Sequence, residues 1–189
     1  MKKLINKHIS EHQLVLNTIN KLDESIEKVT DLICESLQNG GTIFWCGNGG
    51  SAADSQHLAG ELVGRFNESR KSLKSISLAA DSAVMTCIVN DYGYEHIFSR
   101  QVEGLAVKND VLIGISTSGN SKNVINALKT ANKLGVHTIG LLGKGGGDAL
   151  ELANESILVS SGSTARIQEM HIFIGHIICD LIEVKLNLK

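Results

Sequence analysis

Five short apolar runs constrain the fold more than any other feature of the chain: Thr42–Cys46, Ser75–Leu78, Val111–Ser116, Thr138–Leu142 and Ser156–Val159. Each is too short for a helix, and most are rich in the Val, Ile and Leu that suit buried, pleated backbone. Between them lie stretches with helical spacing of apolar residues, Ser51–Phe66, Tyr94–Val107 and Ser121–Leu134, the last stopped by Gly135. Strands joined through helices of this length cross over right-handedly into a parallel sheet covered on both faces. The pattern therefore predicts an α/β fold, a doubly wound parallel five-stranded sheet flanked by helices. In such sheets ligands bind beyond the carboxyl ends of the strands, where the winding reverses.

Helices extend the pattern at both ends. Ile5–Ile19 and Asp23–Leu37 read as two N-terminal helices, the second carrying Ile26, Val29, Ile33 and Leu37 on one face and stopped by Gly40-Gly41. A long C-terminal helix is predicted from Thr164 to about Leu186, with an apolar face of Ile167, Met170, Phe173, Ile174, Ile177, Ile178 and Leu181. Its opposite face holds Gln168, Glu169, His176, Asp180 and Glu183, which is either the solvent side or a functional face. At 189 residues the chain fits one domain, 1–189.

Composition excludes several classes. With a net charge of −2 and pI ≈ 6.4 there is no electrostatic footprint for nucleic acid. No apolar run approaches the ~18 residues of a membrane span, and the N-terminus has no signal-peptide core. The expectation is a cytoplasmic protein with neither nucleic-acid nor membrane partners. Cys34, Cys46, Cys87 and Cys179 form no Cys-x-x-Cys pair and are expected as reduced, mostly buried thiols. Glycine is in excess, 19 residues with no proline at all.

Much of that glycine lies in two loops of one construction. Gly47-Asn48-Gly49-Gly50-Ser51 follows the first strand, and Ser116-Thr117-Ser118-Gly119-Asn120-Ser121 follows the third; each opens a helix. The orphan N–H groups and positive dipole end of such a helix make an anion site, to which hydroxyls add donors and glycine adds close backbone approach. Simple N-capping by Ser51 or Ser121 is the alternative. Four hydroxyls in six residues exceed what one cap requires. Neither loop is a Walker A or a Gly-x-Gly-x-x-Gly sequence, so phosphate is expected and a nucleotide is not.

The helix from Ser51 places His57, Glu61 and Arg65 at i, i+4 and i+8, on one face. With Gln168 and His176 of the last helix, His57 and Glu61 offer imidazole, carboxylate and amide donors to a borderline divalent metal such as zinc. An exposed charged stripe would give the same spacing. Asn90-Asp91 ends another helix and either closes a turn or holds a sugar hydroxyl.

Taken together, the run Cys46–Phe66, Asn90-Asp91-Tyr92, Ser116–Ser121 and the helix bearing Gln168-Glu169, His176, Cys179-Asp180 and Glu183 resemble the phosphoheptose isomerases of the sugar isomerase (SIS) fold, over nearly the whole chain. The resemblance implies conversion of sedoheptulose 7-phosphate to D-glycero-D-manno-heptose 7-phosphate, the first step towards bacterial heptose for lipopolysaccharide or capsule. It implies Ser116, Thr117, Ser118 and Ser121 on the phosphate; Asn48, Gly49, Gly50, Asn90 and Asp91 along the sugar, with Glu61 and Gln168 also touching substrate; and Glu61 and His176 as the acid/base pair. It further implies one zinc ion per subunit on His57, Glu61, Gln168 and His176, and a homotetramer with active sites at subunit interfaces, residues 1–38 packing in the oligomer. One departure is visible: Ser69–Ile76 has no proline where relatives often carry one, which leaves the local loop shape open.

The chemistry suits these residue types. Moving a carbonyl between C2 and C1 needs a base next to a carbonyl and a group that exchanges protons between two oxygens. A carboxylate and an imidazole provide them. The rival reading is a non-catalytic SIS tetramer that binds the replication initiator or senses a sugar phosphate. It has no need to keep Glu61, Arg65, Gln168 and His176 together.

Overall fold

The computed structural model describes residues 1–188. Helices α1 (Lys2–Leu16) and α2 (Asp23–Gln38) precede β1 (Ile43–Gly47), α3 (Gly50–Val63), β2 (Ser75–Ser77), α4 (Ser82–Tyr92) and α5 (Ser99–Leu105). Then come β3 (Val111–Ser116), α6 (Lys122–Leu134), β4 (His137–Gly143), α7 (Gly147–Leu152), β5 (Glu155–Val159) and α8 (Thr164–Lys185). All strand pairs are parallel, in the order β2-β1-β3-β4-β5. The five predicted strands are therefore the five strands of the sheet. None of the described helices is long and apolar enough to cross a membrane.

Alternation along the strands divides the core. Ile43, Trp45, Val111, Ile113 and Ile115 face α1, α2, α3 and α8, whereas Phe44, Cys46 and Leu112 face α4, α5, α6 and α7. Trp45 is buried because its indole N–H finds Ser75 Oγ at 2.8 Å. All four cysteines are free thiols; Cys34, Cys46 and Cys179 are buried, and Cys87 is exposed. Burial pushes the thiols of Cys46 and Cys179 up to about 12.

Several boundaries differ from the sequence reading. The first helix stops at Leu16, with a separate 3₁₀ turn at Ile19–Lys21, and Tyr94–Val107 divides into a 3₁₀ turn (Tyr94–His96) and α5. α3 ends at Val63 rather than Phe66, because the Arg70 guanidinium donates to the carbonyls of Glu61 and Leu62 at 2.9 Å and takes over the helix end. Phe173, expected on the apolar face of the last helix, is 41% exposed. The glycine run after β4, Gly145–Gly147, opens the short helix α7.

Candidate active site

The winding reverses between β1 and β3, which are hydrogen-bonded neighbours with Gly47 level with Ile115. The two glycine- and serine-rich loops leave these two strands and so lie side by side at the switch point. Neither N-cap residue caps its helix through a side chain: the N-cap of α3 is Gly49, and Ser121 at the N-cap of α6 makes no cap bond. Ser51 is buried inside α3. Capping by Ser51 or Ser121 thus fails; Asn123 Oδ1 takes the Val124 N–H in the first turn of α6, the Ser51 and Ala52 N–H groups turn back to the Asn48 and Gly49 carbonyls, and the positive ends of both helices lie at the switch point.

The second loop is braced from within and behind. Ser116 Oγ accepts the Gly119 N–H at 3.1 Å and lies 3.1 Å from Ser121 Oγ; Ser118 Oγ accepts the Asn120 N–H at 3.2 Å. Thr117 and Ser118 are half-buried. The loop leans on the glycines before α7: Gly119 has φ +68°, and a Cβ there would sit 1.7 Å from the Gly146 carbonyl oxygen. The Ala149 N–H donates to Gly119 O, and the Asp148 N–H to Asn120 Oδ1. The glycine run is the backing of the serine loop.

On the other face, α3 and α8 come together beside the first loop. Gly175 lets them approach, since a Cβ there would be 2.6 Å from Leu58 Cδ1 and Cδ2. The next residue, His176, has its Nε2 2.9 Å from His57 Nε2, and Glu61 Oε1 lies 3.1 Å from that His57 nitrogen. The three donor atoms lie within 4.8 Å of one another. A tetrahedral ion with bonds of about 2.0–2.1 Å separates its ligand atoms by roughly 3.3 Å, so the donor set fits zinc in type and spacing. Gln168 lies about two turns earlier on α8, its amide nitrogen 2.4 Å from where a Cβ on Gly50 would sit. Burial pushes the neighbouring Asp54 carboxyl up, with His57 pulling it back, and Asp54 Oδ2 is buried without a partner.

Some expected residues stay apart. Arg65 lies past the end of α3, off the His57–Glu61 face, and donates to Asn67 O at 3.3 Å. Asn90 and Asp91, at the end of α4, bond each other at 2.7 Å. No hydrogen bond links them to the Glu61–His176 group among the described residues. Other contributors were missed. Asn123 and Tyr94 both bond Asn48, and Arg70 pairs with Glu183 behind Glu61. Asn123 stands two residues after the serine loop, so its signal is proximity to that loop; Tyr94 and Arg70 carry no local signal.

The SIS domain family profile matches residues 8–143, which holds both loops and α3 but not α8. Over the whole length the chain is 51% identical to the phosphoheptose isomerase of Aliarcobacter butzleri, covering 99% of this chain and 100% of that one. It belongs to the phosphoheptose isomerase family. A family member from Nitratiruptor is 54% identical, covering 95% of this chain and 96% of that one. Among solved structures, the family's GmhA from Neisseria gonorrhoeae superposes with a TM-score of 0.92 at 40% identity, covering 97% and 98% of the two chains. The enzyme from Francisella tularensis follows with 0.91 at 35%, covering 96% of each chain. The family's sugar-isomerase fold thus extends through α8, where Gln168 and His176 lie.

Proposed function

We propose that this protein is an aldose–ketose isomerase that converts sedoheptulose 7-phosphate to D-glycero-D-manno-heptose 7-phosphate. The observation that carries the reading is the meeting of Glu61 and His176, from two different helices, one of which begins at a glycine-rich loop of the switch point. The serine loop is assigned the phosphate, with Ser116, Thr117, Ser118 and Ser121 adding hydroxyl donors to backbone N–H groups. Asn48, Gly49, Gly50 and Gln168 are assigned to the sugar, in an active site shared between subunits. We assign Asn90 and Asp91 to the sugar as well.

The reaction moves two hydrogens. Glu61 takes a proton from C1 of the ketose while the C2 carbonyl oxygen gains one from His176, giving the 1,2-enediol. His176 then takes the O1 proton, and Glu61 returns its proton to C2, leaving an aldehyde at C1 and a hydroxyl at C2. Atoms and charge balance without any external reductant. His57, Glu61, Gln168 and His176 would hold a divalent ion such as zinc, which supplies positive charge to stabilise enediolate character. Glu61 has two oxygens, so one can face an ion while the other faces C1.

We also assign this enzyme to the cytoplasm as a homotetramer. Leu4, Ile5, Ile9 and Leu14 on α1 are all more than half exposed, apolar surface suited to covering by further copies. Purified protein should equilibrate the two heptose phosphates, and Glu61→Gln or His176→Gln should lose this while staying folded. Full activity in both variants would remove the acid/base assignment. A stable monomer at micromolar concentration by light scattering would remove the tetramer.

A further inference from the structure

Asn48 sits between the two loops in a fully specified set of hydrogen bonds. The Val124 backbone N–H donates to one atom of the Asn123 amide at 2.9 Å, so that atom is Oδ1. The Asn48 atom facing the same oxygen at 2.9 Å must then be its Nδ2. The other Asn48 atom is therefore its oxygen. It accepts from Asn123 Nδ2 at 2.7 Å and from the Tyr94 hydroxyl at 2.7 Å. Both acceptor positions of Asn48 are filled, and one of its two N–H groups is used. A single N–H remains, on a half-buried residue beside Gly49 and Gly50.

Asn123 is 2% exposed and lies in the first turn of α6, two residues beyond Ser121. A two-bond amide pair thus links the loop after β1 to the helix that begins at the serine loop. We propose that Asn123, assisted by Tyr94, is a positioning residue of the isomerase site: it locks Asn48 as a group with one donor and no acceptor, in register with the phosphate loop. Asn48 then recognises an acceptor oxygen of the bound sugar phosphate and rejects a group that can only donate. The role in turnover rests on the isomerase reading, whereas the locking of Asn48 does not.

Two measurements test it. For turnover, Asn123→Ala should lower kcat/KM for sedoheptulose 7-phosphate about tenfold, comparable to one lost hydrogen bond to a site group, while the inhibition constant of inorganic phosphate stays unchanged. The double variant with Asn48→Ala should be no worse than Asn48→Ala alone. Tyr94→Phe, at an exposed position that leaves folding intact, should give a smaller loss of the same kind. Losses that multiply in the double variant, or a phosphate constant that moves by the same factor as kcat/KM, would overturn the positioning role. For the lock itself, the Asn48 side-chain amide signals of the ligand-free protein in nitrogen-edited NMR should show one protected proton, lost in Asn123→Ala. Signals unchanged by Asn123→Ala would overturn it even if the enzyme is active. A wild-type protein inactive on this substrate would instead overturn the isomerase reading, with the NMR result still deciding whether Asn123 holds Asn48.

Discussion

Arg70 Nε donates to Glu183 Oε1 at 2.8 Å, and both side chains are shut away from water, 2% and 0% exposed. Glu183 also accepts the backbone N–H groups of Phe66, Asn67 and Glu68, and Arg70 donates onward to the Glu61 and Leu62 carbonyls. The pair therefore fastens α8 to the end of α3, directly behind the carboxylate assigned as the base. Burial alone would push the Glu183 carboxyl up, but Arg70 and the three amides hold it below its ordinary value. Helical spacing alone puts Glu183 on the solvent or functional face of α8. It serves a third purpose, the joining of two site-bearing helices.

Removing one member of this pair leaves an uncompensated buried charge. Glu183→Gln should cost about 3–5 kcal/mol in urea unfolding, because Arg70 then has neither counter-charge nor water. Activity should fall as well, since the end of α3 loses its anchor. A cost below about 1 kcal/mol, the value for exposed pairs, would show that the pair is solvated in solution.

His171 gives a pH signature. It is fully buried, with Nε2 3.1 Å from Leu142 O and Nδ1 unpartnered, and burial lowers its pKa from 6.5 to about 4. The folded state thus binds fewer protons than the unfolded state between these values, so stability is full above about 6.5 and declines as pH falls towards 4. Between pH 7 and pH 5 this one group should remove roughly 2 kcal/mol. His171→Leu should flatten that part of the curve in denaturant titrations at each pH. Parallel curves for both proteins would refute the linkage.

The sheet was legible in the sequence because each strand is a short buried run, and the two loops because glycine and hydroxyl residues have few other reasons to cluster after a strand. The His57–Glu61 spacing was legible because helical periodicity is local. What escaped depends on contacts between distant segments. Arg70 looks like any surface arginine until the chain returns at Glu183, and the end of α3 cannot be placed without it. The backing glycines Gly145–Gly147 likewise make sense only against Gly119, which they meet across a strand crossover. Asn90 and Asp91 carry a clear local pattern, but they bond each other and not the acid/base group.

Metal content can be decided without kinetics. Protein purified without chelator should carry about one divalent ion per chain by elemental analysis, and His57→Ala should carry clearly less, since it removes one of the two imidazole donors of the proposed four-ligand set. Dialysis against a chelator should remove the ion and slow turnover. A metal-free preparation with full activity would confine the His57–Glu61–His176 group to acid/base work.

The serine loop offers the sharpest steric test. Gly119 combines φ +68° with a carbonyl oxygen 1.7 Å from where its Cβ would be, so Gly119→Ala carries both a left-handed-backbone penalty and a collision with Gly146. The backbone term alone is about 1–2 kcal/mol, and the collision forces the loop and the start of α7 apart. Loop displacement misplaces the Ser118 and Ser121 hydroxyls while leaving the His57–Glu61–His176 group, held on α3 and α8, untouched. The expected outcome is a raised KM for the sugar phosphate and weakened inhibition by inorganic phosphate, with divalent-ion content unchanged. Loss of the ion with phosphate inhibition retained would mean that the serine loop and the phosphate had been wrongly matched.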